Sequence, residues 1–223
     1  MWVKVLLLII SVILIAFSFP RSISAWLDVT YRWMPETSTQ ERLSQLESLK
    51  ALGTNVERGH ELGKSYFTQA LETTNPELKN QYYAQALQAF EGLLAYDPHH
   101  KSGLHNMAAI HMNKRQYAES QLYFSRLLNI VVKRDFGANV RLSYYRMCLK
   151  WSIALGASQQ LAQEKFLLLQ AKLAFASTKN FLYWRWNSVV KANKTQLNYI
   201  DLRLEKLAKI PSQAPEDFIE VTL

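Results

Sequence analysis

Cysteine is nearly absent from this chain. A single thiol, Cys148, in 223 residues excludes a disulfide framework and any zinc site built on several thiolates. Glycine and proline are scarce too, seven and six, too few for the tight turns of an all-β domain. There is no Gly-x-Ser-x-Gly elbow, no glycine-rich phosphate loop and no His-Glu-x-x-His helix, so the commonest hydrolase, nucleotide-binding and metalloprotease signatures are missing. No pair of carboxylates stands on one face with an acid/base geometry, and no stretch alternates with period two long enough to make a strand. Long segments rich in Ala, Leu, Gln and Lys remain, and they predict an all-α fold.

Histidines cluster at His99, His100, His105 and His111. Their spacings put no two of them one helical turn apart, and no thiol or carboxylate completes a ligand set. They read as helix and loop histidines, with no metal and no cofactor expected. Cys148, inside Tyr144-Tyr145-Arg146-Met147-Cys148-Leu149, reads as a small buried hydrophobe. No enzymatic activity is expected.

Residues 5–19, VLLLIISVILIAFSF, are apolar or small throughout, with Lys4 before them and Pro20-Arg21 after. A soluble core helix rarely lacks a polar face for so long, which marks a membrane or export segment. One version is a signal peptide cleaved near Ser24 or Ala25. The other is an uncleaved anchor over residues 1–22, contacting lipid through residues 3–19, about 27 Å long from Trp2 to Phe19 at 1.5 Å per residue. Arg21 is awkward beside a cleavage site, and Trp26, Tyr31 and Trp33 suit an interfacial belt, so the anchor is the expectation. A short amino end followed by a large domain places the amino terminus in the cytoplasm and the rest outside it, periplasmic or extracytoplasmic.

Residues 23–53 read as a linker with a short amphipathic helix, opened by a Ser38/Glu41 capping box and carrying Leu43, Leu46 and Leu49 on one face. Thr54 with Glu57 forms a second box, and Asn75-Pro76 a third helix start. Over residues 54–178 a repeat emerges at a spacing of 34: Tyr83 and Tyr117, Ala86 and Ser120, Phe90 and Phe124, Leu94 and Leu128. These positions fall three or four residues apart, so they form one helical face used twice.

Here the chain resembles the tetratricopeptide repeat (TPR) family, whose unit is a 34-residue helix–turn–helix. Leu62-Gly63-x-x-Tyr66 is similar to the first-helix signature, and Tyr83-x-x-Ala86-x-x-x-Phe90, ending at Pro98, to the second. Asn106-Met107-Ala108 and Tyr117-x-x-Ser120-x-x-x-Phe124 continue the pattern. Ala162-x-x-x-Phe166 would give a third unit, with Leu142 and Tyr145 on its first helix. Departures are a missing early tryptophan, about eleven extra residues between Tyr66 and Ala86, and an overlong third unit. The resemblance implies antiparallel helix pairs stacked as a short TPR-like solenoid, behind the N-terminal transmembrane helix. It also implies a partner groove on the first helices, lined by Glu57, His60, Lys64 and Phe67 and by His105, Asn106, Ala109, Met112 and Asn113. A protein or peptide partner in that groove would make the chain a scaffold for assembling a membrane complex. The alternatives are a structural subunit packed within a larger membrane assembly, or a face for anionic lipid.

Residues 179–210 suggest a basic helix capping the stack. Trp186, Val190, Asn193, Leu197, Ile200, Leu204 and Leu207 follow a heptad seam, whose polar Asn193 leaves a homodimer open. Residues 135–210 hold twelve Lys and Arg against four Asp and Glu, hence the whole +8 of the chain. The run Phe181-Leu182-Tyr183-Trp184-Arg185-Trp186 sets aromatics beside cations. That composition suits an acidic protein or lipid surface, or a solvated basic face with its aromatics packed beneath; an export signal argues against nucleic acid. Residues 211–223, polar and acidic after Pro211, are expected to be a disordered tail.

Overall fold

The structure is a computed structural model that describes residues 38–48, 56–130, 136–180, 182 and 185–219. Among these residues every regular element is helical: α1 (Thr39–Ser48), α2 (Val56–Glu72), α3 (Pro76–Tyr96), α4 (Lys101–Asn113), α5 (Tyr117–Ile130), α6 (Phe136–Ala157), α7 (Leu161–Ser177), α8 (Trp186–Ala192) and α9 (Lys194–Lys206). The expected membrane segment, most of the linker, and Thr54 lie outside the described residues. Among those described, no helix is long and apolar enough to cross a membrane.

Helix starts follow the local chemistry. At α1 the capping box closes reciprocally: Glu41 N donates to Ser38 Oγ at 3.3 Å and Ser38 N donates to Glu41 Oε2 at 3.2 Å. At α3, Asn75 Oδ1 accepts from Glu77 N and Leu78 N, with Pro76 in the first turn, where its missing N–H costs nothing. His100 caps α4, its Nδ1 accepting from Gly103 N at 3.1 Å.

The helices pack as sequential pairs, α2 with α3, α4 with α5 and α6 with α7. Each pair is joined by three residues, 73–75, 114–116 and 158–160, and so short a connection forces antiparallel neighbours. The later two connections share one turn. Arg115 (φ 62°) and Gln159 (φ 58°) take the left-handed conformation. The next N–H then reaches back five residues, Gln116 to His111 O at 2.9 Å and Gln160 to Leu155 O at 3.0 Å.

Two compact units result, one ending at Pro98 and the other beginning at His99. In the first, α1 packs on α2 and α2 on α3. Leu43 and Leu46 of α1 are buried, Arg42 Nη2 bonds Glu61 Oε2 at 2.8 Å, and the Tyr66 hydroxyl donates to Glu47 Oε1 at 2.6 Å. In the second, α6 meets α4, α5 and α7, and α9 lies on α7. That surrounding explains why α6 buries residues on every side, from Ala138 and Val140 to Tyr144, Tyr145, Met147, Cys148 and Trp151.

Three sequence expectations are corrected here. First, residues 179–210 do not form one helix with an unbroken heptad seam. A 3₁₀ turn covers Thr178–Asn180, and α8 ends at Asn193, whose side chain donates to Val189 O at 2.8 Å. The amide that would set register in a dimer is used to close its own helix. Second, the buried small-plus-aromatic pair of α7 is Ala171 and Phe175 rather than Ala162 and Phe166, which are half-buried. The Ala-x-x-x-Phe spacing occurs twice in this helix, and spacing alone does not say which copy faces the core. Third, the tail is ordered through Ile219: Gln213 N donates to Ala162 O, and Phe218 meets Phe166 edge-on with ring centres 4.6 Å apart. Its composition is polar, but Phe218 gives it an apolar anchor. Residues 220–223 lie outside the described residues.

Candidate functional site

The 34-residue period corresponds to a repeated set of contacts. Tyr83, Ala86, Phe90 and Leu94 are buried on α3, and Ser120, Phe124 and Leu128 on α5, with Tyr117 half-buried. On the paired first helices, His60 lies over Phe90 (ring centres 6.3 Å apart) and His105 over Phe124 (6.1 Å). Three residues on stand Gly63 and Ala108, small where the second helix crosses. A β-carbon at Gly63 would sit 2.8 Å from the Phe90 ring, and the Ser120 hydroxyl donates to Ala108 O at 2.8 Å. The eleven extra residues of the first unit form no loop. They lengthen α2 and α3 to 17 and 21 residues, against 13 and 14 for α4 and α5.

The expected groove residues differ in what they can offer. In the first unit Glu57 belongs to α2, and its side chain lies outside the described residues. His60 and Lys64 flank Glu61, at 3.5 and 3.9 Å, and Arg42 approaches it from α1. The hydrogen bond from His60, helped by the charges of Lys64 and Arg42, holds the Glu61 carboxyl below its ordinary range against the opposing effect of burial. Lys64 is exposed, while Phe67 is half-buried with its ring 6.2 Å from that of Tyr83. Sequence reasoning missed Glu61 and Arg42, the centre of this charged group. Arg42 sits on a different helix, and no periodicity connects the two.

In the second unit His105 is mainly a packing residue. Its Nε2 lies 3.1 Å from Ser143 Oγ on α6, its ring packs on Phe124, and burial lowers its pKa. Asn106, Ala109 and Met112 are half-buried and Asn113 is exposed. His111 stacks on Tyr123 at 5.5 Å and hydrogen-bonds Gln116. Among the described residues no group of three or more His, Cys, Asp or Glu is placed to hold a metal ion. Cys148 is fully buried, as its neighbours suggested, and burial pushes its thiol up to about 12, far from thiolate chemistry.

A cleft of about 310 Å³ opens between α2 and α3, with Gly59, Ala89 and Gly92 on its walls and Leu62, Leu93 and Tyr96 beside them. Small residues keep it open, and Tyr96 at its edge is 80% exposed. Of the aromatic–cationic run, Phe181, Tyr183 and Trp184 lie outside the described residues, Arg185 is exposed, and Trp186 packs against Phe175 with ring centres 5.1 Å apart.

A second contact set without a sequence signal lies where the tail returns. Gln121 is fully buried on α5, and its side-chain amide bonds both the carbonyl and the N–H of Ile219. Compared with protein-family models, with curated proteins and with solved structures, the chain matches none.

Proposed function

We propose that this chain is a non-enzymatic, membrane-anchored scaffold of TPR-like helix pairs that holds a protein partner in a membrane complex. The observation that carries this reading is one contact set used twice: the Tyr83/Tyr117 to Leu94/Leu128 face recurs at 34 residues, and on the first helices a histidine beside the phenylalanine and a small residue at the crossing recur at 45, the difference being the eleven extra residues of α2 and α3. Paired helices of this kind bury one face within the pair and leave the first helices available to a ligand. In the first unit Lys64 offers a polar group to a peptide backbone and Phe67 apolar contact; in the second Asn113 offers the polar group, and Ala109 and Met112 the apolar contact. Residues 3–19 serve as the anchor, with the repeats outside the cytoplasm.

The experiment is in-cell crosslinking of the full chain through a carboxy-terminal tag, followed by identification of the attached proteins. A few stoichiometric partners are expected from one compartment, and they should be lost in Lys64→Glu combined with Asn113→Ala while helical content stays unchanged. Capture that survives those substitutions overturns the groove. Protease protection of the tag in intact cells checks the orientation. A second reading, a subunit packed into a larger membrane assembly, draws on leucines left exposed on α7 and α9: Leu173 at 54% and Leu202 at 61%. Depletion of the protein when its captured partner is deleted would favour it.

A further inference from the structure

The contact between Gln121 and the tail has the form of a recognition site with its ligand in place. Gln121 is fully buried, and its two short hydrogen bonds go to one residue: Nε2 donates to Ile219 O at 2.6 Å and Oε1 accepts from Ile219 N at 2.9 Å. Bonding both main-chain groups of one residue is how a β-strand reads its neighbour, and it requires them to point the same way, as in extended chain. The bonds are indifferent to the side chain of residue 219. Selectivity comes from the residue before it. The Phe218 ring is edge-on to Phe166 and 6.5 Å from Trp151, which in turn stacks on Tyr117.

Apart from this contact the tail is tied to α7 by Gln213 N, which donates to Ala162 O, and by Lys165, which donates to Ile210 O where the tail begins. Ser212, Gln213, Ala214, Glu216 and Asp217 are all exposed. A segment on a short tether meets its site at an effective concentration on the order of millimolar, so a weak intrinsic affinity keeps it seated. If it left, Gln121 Nε2 would keep only the Tyr144 hydroxyl at 3.5 Å. A buried amide so poorly satisfied calls for another main chain in its place. The surrounding sequence favours an acidic one, since residues 135–210 carry twelve Lys and Arg against four Asp and Glu.

We propose that Gln121 with the Trp151–Phe166 slot forms a peptide-recognition site for an extended segment with an acidic residue before a phenylalanine, which Asp217-Phe218-Ile219 fills in cis and a partner's segment of the same pattern fills in trans. It shares no residue with the first-helix groove, so neither reading depends on the other. The tail acts as a built-in competitor: a partner must outbid the tethered copy, which restricts binding to segments that fit the slot better or arrive at high local concentration.

The test uses the full chain in detergent and a fluorescent peptide of residues 214–221, Ala-Pro-Glu-Asp-Phe-Ile-Glu-Val, followed by anisotropy. The full chain carrying Phe218→Ala with Ile219→Pro, which loses the ring and the donor N–H, should bind this peptide about tenfold or more tighter than the unaltered chain does. A peptide methylated on the isoleucine nitrogen, or with alanine for its phenylalanine, should bind that altered chain about tenfold more weakly, the loss expected for a buried hydrogen bond or an aromatic anchor. Both peptide changes leave the protein untouched, so misfolding cannot imitate the result. Lys64→Glu with Asn113→Ala should leave peptide binding unchanged. Equal binding to both chains, no binding to either, or full binding of the methylated peptide would each overturn the proposal.

Discussion

Arg203 on α9 donates two hydrogen bonds, of 2.6 and 2.8 Å, to the carboxylate of Glu164 on α7. Glu164 is 1% exposed while the Arg203 side chain keeps 30% of its surface in water, so the pair protects a buried charge from one open side. A carboxylate so buried is tolerable only with its partner in place. Arg203→Met should therefore cost about 3 kcal/mol, the lower end expected for orphaning a buried charge when water can reach the gap. Chemical denaturation of the full chain measures it. The companion variant Glu164→Gln, which removes the charge, should make a further Arg203→Met change cost much less. If the two losses simply add, the pair is not what holds α9 on α7.

Gly156 stands directly behind that carboxylate. A β-carbon there would lie 2.7 Å from Glu164 Cδ and Oε2. Gly156→Ala gains roughly 1 kcal/mol of helix propensity but displaces a carboxylate fixed by two charged bonds. The same competition operates at Gly63, where the obstacle is the face of Phe90 rather than a flexible tip. Overpacking of about 1–3 kcal/mol should outweigh the propensity gain, so Gly63→Ala should lower Tm. Gly63→Ala with Phe90→Leu should recover part of the loss, because the smaller side chain vacates the crossing point. A rise in Tm for the single variant would mean that α2 and α3 can separate without penalty.

Glycine usage is inverted in this chain, and the consequence is testable. Six of the seven glycines lie inside helices, while Arg115 and Gln159 hold the left-handed positions of two helix–helix turns. An L-residue there costs about 1–2 kcal/mol relative to glycine, partly offset by the larger entropy that glycine loses on folding. Gln159→Gly and Arg115→Gly should each raise stability by up to about 1 kcal/mol. Thermal melts would show it, and a fall in Tm at both sites would mean the long side chains contribute more than the backbone strain they carry.

That inversion also explains which parts of the structure were legible in the sequence. Helix starts were, because caps are local: Ser38, Glu41, Asn75 and Pro76 act within four residues of one another. The second-helix face was too, because Tyr83, Ala86, Phe90 and Leu94 recur 34 residues later under the same packing demand. On the first helices His60 and His105 were placed by the family pattern as groove residues, but their packing on Phe90 and Phe124 was not legible, because the partner rings lie on other helices. Turn positions were opaque, since glycine did not mark them. The Glu164–Arg203 pair, the Arg42–Glu61 pair and the Gln121–Ile219 clamp were opaque for another reason. Each joins residues on separate elements, 19 to 98 positions apart, and neither composition nor period constrains such pairs. The tail was misjudged because a polar average hides the single aromatic residue that anchors it.

His105 gives a pH prediction whose sign follows from its burial. Desolvation lowers its pKa in the folded chain, so the unfolded chain takes up the proton first as pH falls from about 6.5. Between that value and the lowered folded one the unfolded state binds more protons, and stability declines with falling pH. Above about 6.5 the neutral ring costs nothing and keeps its contacts with Ser143 and Phe124. His105→Phe retains a ring over Phe124 but leaves the Ser143 hydroxyl without the imidazole, a loss of about 1 kcal/mol at neutral pH. It also removes the proton linkage. Melting curves of the two proteins should therefore lie farthest apart near pH 7 and draw together as pH falls toward 5. Curves that stay parallel throughout would mean that His105 titrates alike in the folded and unfolded chains, and that its burial between Phe124 and Ser143 carries no electrostatic cost.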